Sequence, residues 1–445
     1  MKRTLNAKEK TLIFIKRTKK KNLKYTGIIL PILLIALVIT TWMGRAEEVK
    51  TIAPKTDQSL TMTMVGDVMM GRFVEEVTEK HGYDYLFRYM KPYFTDSDYV
   101  SGNYEHPVLK EDVSNYKEAD TAIRLNSDNK GVKAVKDAGF SVMNLANNHM
   151  MDFEERGLLD TIDEFKTADM PYVGAGSNTN EAKNSIDYAD VNGVRVATLG
   201  FTDVYGKDAV PKSNKAGILN ANPDLLFEMI EKAKDAKQGN ADLVVVNVHW
   251  GIEYSTSTTA RQTEFAKAII DAGADIIIGH HPHVLQSFDV YKDGIIFYSL
   301  GNFVFDQGWT RTKDSAMVQY RLAEDGKATV DVVPLQIEEA TPRPATSSID
   351  KSRVYRQLTK ETSEKTQWSK KEDHIEITLD HKKVIDHKAQ REQEEKAAKE
   401  KKAAQEEKAA KEEKAAKEEK AAKEKKAAQE KKEVKPVQQN IQPIQ

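Results

Sequence analysis

Seven short β-branched or apolar runs, each followed directly by a polar cluster, constrain this 445-residue chain more than any other feature. They occupy residues 60–65, 98–101, 140–145, 195–199, 243–248, 276–278 and 294–299. Helix-like segments such as 152–167, 223–236 and 261–272 separate them. The region from about Leu60 to Pro334 therefore predicts an α/β fold, its seven strands read as one large sheet. The clusters are Gly66-Asp67, Asn103-Tyr104-Glu105-His106, Asn147-Asn148-His149, Thr202-Asp203, His249-Trp250 and His280-His281-Pro282-His283. In open α/β sheets, ligand sites form at the carboxyl ends of strands. Of ten histidines, six (His106, His149, His249, His280, His281, His283) stand at those ends.

A single histidine after a strand reads as a hydrogen-bonded loop residue; the constellation says more. Carboxylate, amide oxygen and imidazole are the ligand types of Zn, Mn or Fe, and a mixed N/O set holding two ions ~3.5–4 Å apart is a common hydrolase design. Asp67 offers one oxygen, Glu105 or Asn103 a second, Asn148 an amide oxygen, and His149, His249, His281 and His283 the nitrogens. Asp67 and His149 are the candidate catalytic residues, with one or two divalent ions as the expected cofactor. The competing use of the same groups is a polar polymer-binding cleft. Near it, Arg72, Trp309 and Arg311 are candidates for binding a polyanion, because guanidinium pairs with carboxylates in a fork.

Other chemistries are excluded. The chain has no cysteine, so disulfides, thiolate metal sites and cysteine nucleophiles are absent. It contains neither a Gly-x-x-x-x-Gly-Lys-Ser/Thr phosphate loop nor a Gly-x-Ser-x-Gly elbow. A net charge of -2 without a zinc-finger or RNA-binding signature argues against a nucleic-acid partner.

Four strings in order, Met64-Val65-Gly66-Asp67-Val68-Met69-Met70-Gly71-Arg72, Asn144-Leu145-Ala146-Asn147-Asn148-His149, Gly279-His280-His281-Pro282-His283-Val284 and Tyr298-Ser299-Leu300-Gly301-Asn302-Phe303-Val304-Phe305-Asp306, resemble the CapA/PgsA capsule-biosynthesis family. The resemblance runs over about residues 1–388. It implies a metallophosphatase-like (calcineurin-like phosphoesterase) sandwich. It also implies a membrane-anchored component of a poly-γ-glutamate synthase, working with an ATP-dependent ligase subunit, a small membrane subunit and the polymer. Matched to the metallophosphatase pattern, Asp67 takes the place of the first Asp, Asn148-His149 the Asn-His pair, His249 the lone His, and His281 with His283 the final motif. Met69 stands where that pattern has a His, and Asn103-Tyr104-Glu105 where it has Gly-Asp, so at least one metal position loses ligands. Either His280 or His281 can pair with His283 in this register.

Residues 1–24 hold ten Lys/Arg against Glu9 alone; that gives +9, and with -2 overall the remainder carries -11. Nineteen uncharged residues follow, 25–43, close to the ~20 that cross a bilayer core. This predicts a cytoplasmic basic arm (1–24), one uncleaved transmembrane helix (25–44) and an extracellular domain (56–340) in a single-pass membrane protein. Residues 341–388 read as a linker, opened by Thr341-Pro342-Arg343-Pro344, and a small appended piece. Residues 389–433 are rich in Lys, Glu and Ala, with six hexamers of the Lys-Ala-Ala-Lys-Glu-Lys type from Lys396 to Lys431, and predict a long charged helix supported by Glu407→Lys411, Glu413→Lys417 and Glu419→Lys423 pairs. A period of six spreads the alanines over three stripes and builds no coiled-coil seam. Residues 434–445 read as a disordered tail.

Overall fold

The structure, a computed structural model, describes residues 6–19, 21–43 and 58–433. It divides into two units, 1–53 and 54–445. The first contains helices Ala7–Lys19 and Asn22–Met43. The second helix coincides with the uncharged run, with Pro31 inside it. Among the described residues no helix is long and apolar enough to cross a membrane. The side chains of residues 36–43, and all of 44–57, lie outside the described residues, and with them the side chains of nearly half of the expected span. The expected tail 434–445 also lies outside them.

The second unit is built on strands β1 (Gln58–Val68), β2 (Tyr99–Tyr104), β3 (Val142–Asn144), β4 (Val194–Thr202), β5 (Leu243–His249), β6 (Ile276–His280), β7 (Gly294–Phe297), β8 (Asn302–Val304), β9 (Asp314–Ala323), β10 (Lys327–Glu338) and β11 (Ile375–Asp380). The seven expected strands do not form one sheet. β1, β2 and β3 belong to a ten-stranded sheet and β4 to β7 to a separate six-stranded one. The reason is visible in the alternation. Val194, Val196, Leu243, Val245, Ile276 and Ile278 face Leu60, Met62 and Met64 of the larger sheet in one shared core. Their neighbours Ala197, Leu199, Val244, Val246 and Ile277 pack instead against Leu226, Met229, Ile230, Phe265 and Ile269. Both faces of these strands are apolar, so two layers fit where one was expected.

The covering helices start where their sequences stop the strand. Asn222 accepts from the Leu225 N–H at 3.2 Å ahead of Pro223–Lys234, and Thr259 with Gln262 forms a capping box ahead of Ala260–Asp271. Within the larger sheet β1, β2 and β3 run parallel, as do β4 to β7 in the smaller, which places their carboxyl ends at one pole. The antiparallel β9, β10 and β11 extend the larger sheet beyond β1. These strands are not among the seven expected runs.

The expected linker is part of that sheet. Thr341–Pro344 pairs antiparallel with the end of β10, and its prolines are tolerated because the segment pairs on one side only. The expected appended piece contributes Ile375, Ile377 and Leu379 of β11 to the shared core. The C-terminal helix, Lys382–Glu433, begins seven residues before the expected repeat. Its first turns are ion-paired to the amino ends of the smaller sheet. Lys383 meets Asp275 (2.8 Å) and Asp293 (2.6 Å), while His387 (2.7 Å) and Arg391 (2.8 Å) meet Asp242. Farther out, the expected pairs Glu407–Lys411 (2.7 Å), Glu413–Lys417 (2.5 Å) and Glu419–Lys423 (2.5 Å) are all formed.

Two outcomes follow. A Cβ on Gly66 would lie 1.9 Å from the Gly301 carbonyl oxygen, so Gly66→Ala should cost ~3 kcal/mol and lower Tm by several degrees in thermal denaturation. Burial alone would raise the Asp275 pKa, but Lys234 and Lys383 hold it below the usual carboxylate range. Its stabilisation is therefore present above about pH 4 and lost as pH falls through the depressed folded value. Lys383→Met raises that value, and the acid-unfolding midpoint read by circular dichroism should move to higher pH.

Candidate functional site

At the common pole, β1 ends in Asp67, β2 in Asn103 and Tyr104 with Glu105 next, β5 in His249 and β6 in His280. Pairing puts Asp67 beside Asn103 and, on the other side, Asn302, with a register shift between Asp67 and Val68. The shift accompanies the close approach of Gly66 to Gly301, whose carbonyl accepts the Asp67 N–H at 3.1 Å. Asn103 Nδ2 donates to Asp67 Oδ1 (2.9 Å), and its own oxygen accepts from Asn144 (2.9 Å) and Asn147 (3.2 Å). This buried amide chain orients the carboxylate.

The loops after β5 and β6 complete the pole. His280 is held by Asp67 (3.2 Å) and Asn247 (3.2 Å), whereas His281 and His283 turn toward Glu105 and His249. The structure thus brings His281, rather than His280, together with His283. Asn302 Oδ1 lies 2.9 Å from His283 Nδ1, while His283 Nε2 lies 3.6 Å from Glu105 Oε1. Asn148 Oδ1 lies 2.7 Å from His249 Nε2. Four non-glycine residues here have positive φ: Arg72 (54°), Tyr254 (61°), His281 (95°) and His283 (55°). At ~1–3 kcal/mol each, such strain persists only where surrounding structure enforces it.

At this pole, among the described residues, three sets of ligand atoms lie within 4.8 Å of one another: Glu105, His249, His281; Asp67, Glu105, His283; and Glu253, His281, His283. Glu105 is common to the first two. Asp67, Glu105 and His249 have zero exposure, so their charges are removed from water. Burial alone would raise Asp67, but bonds and charge from His280 and His283 hold it well below the usual carboxylate range. Burial, then Asp67, Glu253 and Asp152, push Glu105 well above that range. Burial and its histidine neighbours push His249 well down, and burial with His283 brings His281 to about 3. The imidazoles of His249 and His281 are therefore neutral and ligand-competent.

The residues fit a divalent cation. Glu105 Oε1 and His281 Nδ1 are buried without a hydrogen-bond partner, and buried polar atoms are otherwise paired. Asp67, Glu105, His283 and Glu105, His249, His281, with Asn148 beside His249, are the residues that would hold it. The excess of negative charge around Glu105 is what a cation offsets.

Of the other expected residues, His149 lies at the edge, with Nδ1 2.7 Å from Asp152 Oδ2. Asp152 is buried and also accepts the Leu125 N–H at 2.8 Å. Arg72 pairs with Asp306 and lies 6.0 Å over the Phe305 ring, which packs 4.9 Å from His283. Exposed Trp309 packs 5.0 Å from Tyr254, itself 6.1 Å from His283. Arg311 is exposed on the short helix Thr310–Lys313. His106 is not among these groups: its Nε2 accepts the Met70 N–H at 3.0 Å. Sequence reasoning missed Asp152 and Glu253. An acid three residues after His149, at the start of a helix, was the available signal for the first.

An α/β sandwich with buried carboxylates and imidazoles at the strand ends defines the class, and the chain belongs to the bacterial capsule synthesis protein PGA_cap family, whose model matches residues 61–307. It is 60% identical over 385 residues to the capsule biosynthesis protein CapA of Bacillus anthracis, covering 86% of this chain and 93% of that one. It is 46% identical over 382 residues to the PGA biosynthesis protein CapA of Bacillus subtilis (strain 168), covering 86% and 98%. Among solved structures it is similar to the calcineurin-like phosphoesterase YfkN of Bacillus subtilis, with 14% identity, 75% of this chain and 97% of that one covered, and a TM-score of 0.34.

Glu105→Gln removes a crowded buried acid, so the metal-free variant should melt no lower than the parent. Mn²⁺ at ~100 times its Kd should stabilise the parent by ~2.7 kcal/mol and leave the variant unmoved. Paired thermal melts with and without Mn²⁺ check both; an equal Mn²⁺ response in the variant would remove Glu105 from the site.

Proposed function

We propose that this protein is the membrane-anchored extracytoplasmic subunit of a bacterial poly-γ-glutamate capsule synthase, assisting elongation, handling or export of the polymer. The observation that carries the reading is 60% identity across nearly the whole of a relative named for capsule biosynthesis. In this reading residues 25–44 are the anchor; the basic arm and the Asn22–Met43 helix support it. An ATP-dependent ligase subunit and a small membrane subunit are the partners, because the chain itself has no phosphate loop to activate a carboxylate. Arg72, Trp309 and Arg311 are the polymer-binding groups, grouped on the loops that follow the ligand-bearing strands. A polyanion passing there meets guanidinium and ring surfaces before the buried carboxylates.

A second reading, a metal-dependent hydrolase, is favoured by two ligand groups that share Glu105. A bound divalent ion would supply Lewis-acid polarisation of a carbonyl or phosphoryl oxygen and a more acidic water. The chain's own part is distinct. Asp67 and Glu105 form a floor buried from solvent, the Asn103 amide holds Asp67 in orientation, and the Asp152 carboxylate orients His149, whose Nε2 is the atom placed to carry a proton.

Deletion of the gene followed by complementation separates the readings. The parent chain should restore cell-associated polymer. His149→Ala and Glu105→Gln chains that reach parental abundance should restore less than about a tenth if the site performs chemistry, and parental amounts if the role is assembly. A deletion strain with undiminished capsule would sink the synthase assignment.

A further inference from the structure

The basic arm holds a capped helix of its own, Ala7–Lys19. At its start the Asn6 N–H donates to Glu9 Oε2 and the Glu9 N–H to Asn6 Oδ1, both at 2.9 Å, a reciprocal capping box that engages the one acid of residues 1–24. At its end the Lys21 N–H donates to the Thr18 carbonyl at 2.8 Å, and the next helix, Asn22–Met43, begins. Within Ala7–Lys19, Lys8, Leu12, Ile15 and Lys19 recur four, three and four residues apart, which puts them on one face as an apolar pair with a lysine at either end. Thr11, Phe14 and Thr18 flank that pair on the same side. The threonines satisfy their hydroxyls inside the helix, Thr11 Oγ1 donating to the Ala7 carbonyl (3.0 Å) and Thr18 Oγ1 to the Phe14 carbonyl (2.9 Å), so both can stand in apolar surroundings. Leu12, Phe14 and Ile15 are nonetheless exposed. The remaining side carries Glu9, Lys10, Lys16 and Arg17, with Ile13 among them.

We propose that the helix Ala7–Lys19 lies along the membrane surface and binds anionic phospholipid headgroups, with Leu12, Phe14 and Ile15 entering the acyl boundary and the basic side chains meeting phosphates. The inference rests on the membrane-anchored reading above and gives it a lipid partner. Charge complementarity selects the occupant. Ten Lys/Arg against Glu9 give residues 1–24 a charge of +9, and the cytoplasmic leaflet, on whose side that charge places them, is negatively charged. An apolar patch of three side chains holds a bilayer weakly by itself, and the adjoining basic residues supply the second attraction that lasting attachment takes. Lys8 and Lys19, at the two ends of the apolar face, can reach headgroups along their stems without withdrawing that face from the lipid.

The test uses the full-length chain in lipid nanodiscs, both faces of which are open to solutes. The chain has no cysteine, so Thr11→Cys and Arg17→Cys each accept a single environment-sensitive fluorophore, the first on the apolar side and the second on the basic side. In discs of phosphatidylcholine with about a third phosphatidylglycerol, brominated acyl chains should quench the Thr11→Cys label at least about twice as strongly as the Arg17→Cys label. That difference should vanish in pure phosphatidylcholine and shrink at ~0.5 M salt. Adding Lys10→Gln, Lys16→Gln and Lys19→Gln to Thr11→Cys should lower its quenching in the anionic discs by about half or more. A Thr11→Cys label open to aqueous iodide in both lipids would overturn the proposal. Equal burial in both lipids without a salt effect would also overturn it, since apolar contact alone would then hold the helix. Burial in native membranes that is lost in discs of either lipid would overturn it too and assign the face to a protein partner. A chain that does not enter discs at all would end the anchored reading and this inference together.

Discussion

Two carboxylates with no exposure, Asp67 and Glu105, sit at the meeting point of two sheets, and much of the pole is arranged around them. Removing such charges from water costs several kcal/mol each unless a partner answers them. Asp67 has its partners within the chain: the Asn103 amide, the His281 N–H at 3.3 Å, and the rings of His280 and His283. Glu105 has much less, and one of its oxygens has no hydrogen bond. That asymmetry explains why the first is held ionised and the second is driven toward the protonated state. It also makes Glu105 the natural sensor of any cation that enters.

Strained backbone follows from the same constraint. His281 and His283 approach the carboxylates only with φ of 95° and 55°, and Gly66 can be nothing larger because the β8 connection crosses it. Such geometry is costly locally, and it is sustained by sheets whose inner faces bury Val, Ile, Leu and Met side chains at ~1.5–3 kcal/mol each. The rigid layers hold the loops, and the loops hold the donors.

Much of this was legible in the sequence, for physical reasons. β-branched runs ending in Asp, Asn or His mark strand and site at once, so Asp67, Glu105, His249, His281 and His283 stand out by their place at or just after such runs. The partition into two sheets was not legible, because Val244–Val248 is apolar on both faces and periodicity cannot say which layer each face meets. Thr341–Pro344 read as a linker because proline usually breaks a ladder; here it lies on a segment paired on one side only. Glu253 carried no signal. It belongs to neither a strand nor a helix, and its place depends on two backbone bonds from other loops.

The manner in which the chain enters and leaves the folded body has a mechanical consequence. β1 begins at Gln58, paired with Ala323; the turn after Ala323 brings Gly326 to accept the His381 N–H at 2.9 Å, and the C-terminal helix starts at Lys382. Entry and exit therefore stand at one pole, opposite the ligand-bearing strand ends. Tension applied between the two connections is borne by this short path and by the Asp242, Asp275 and Asp293 ion pairs. The pole that carries Asp67, Glu105 and the histidines lies off that path, so a pull between the two connections leaves it unloaded.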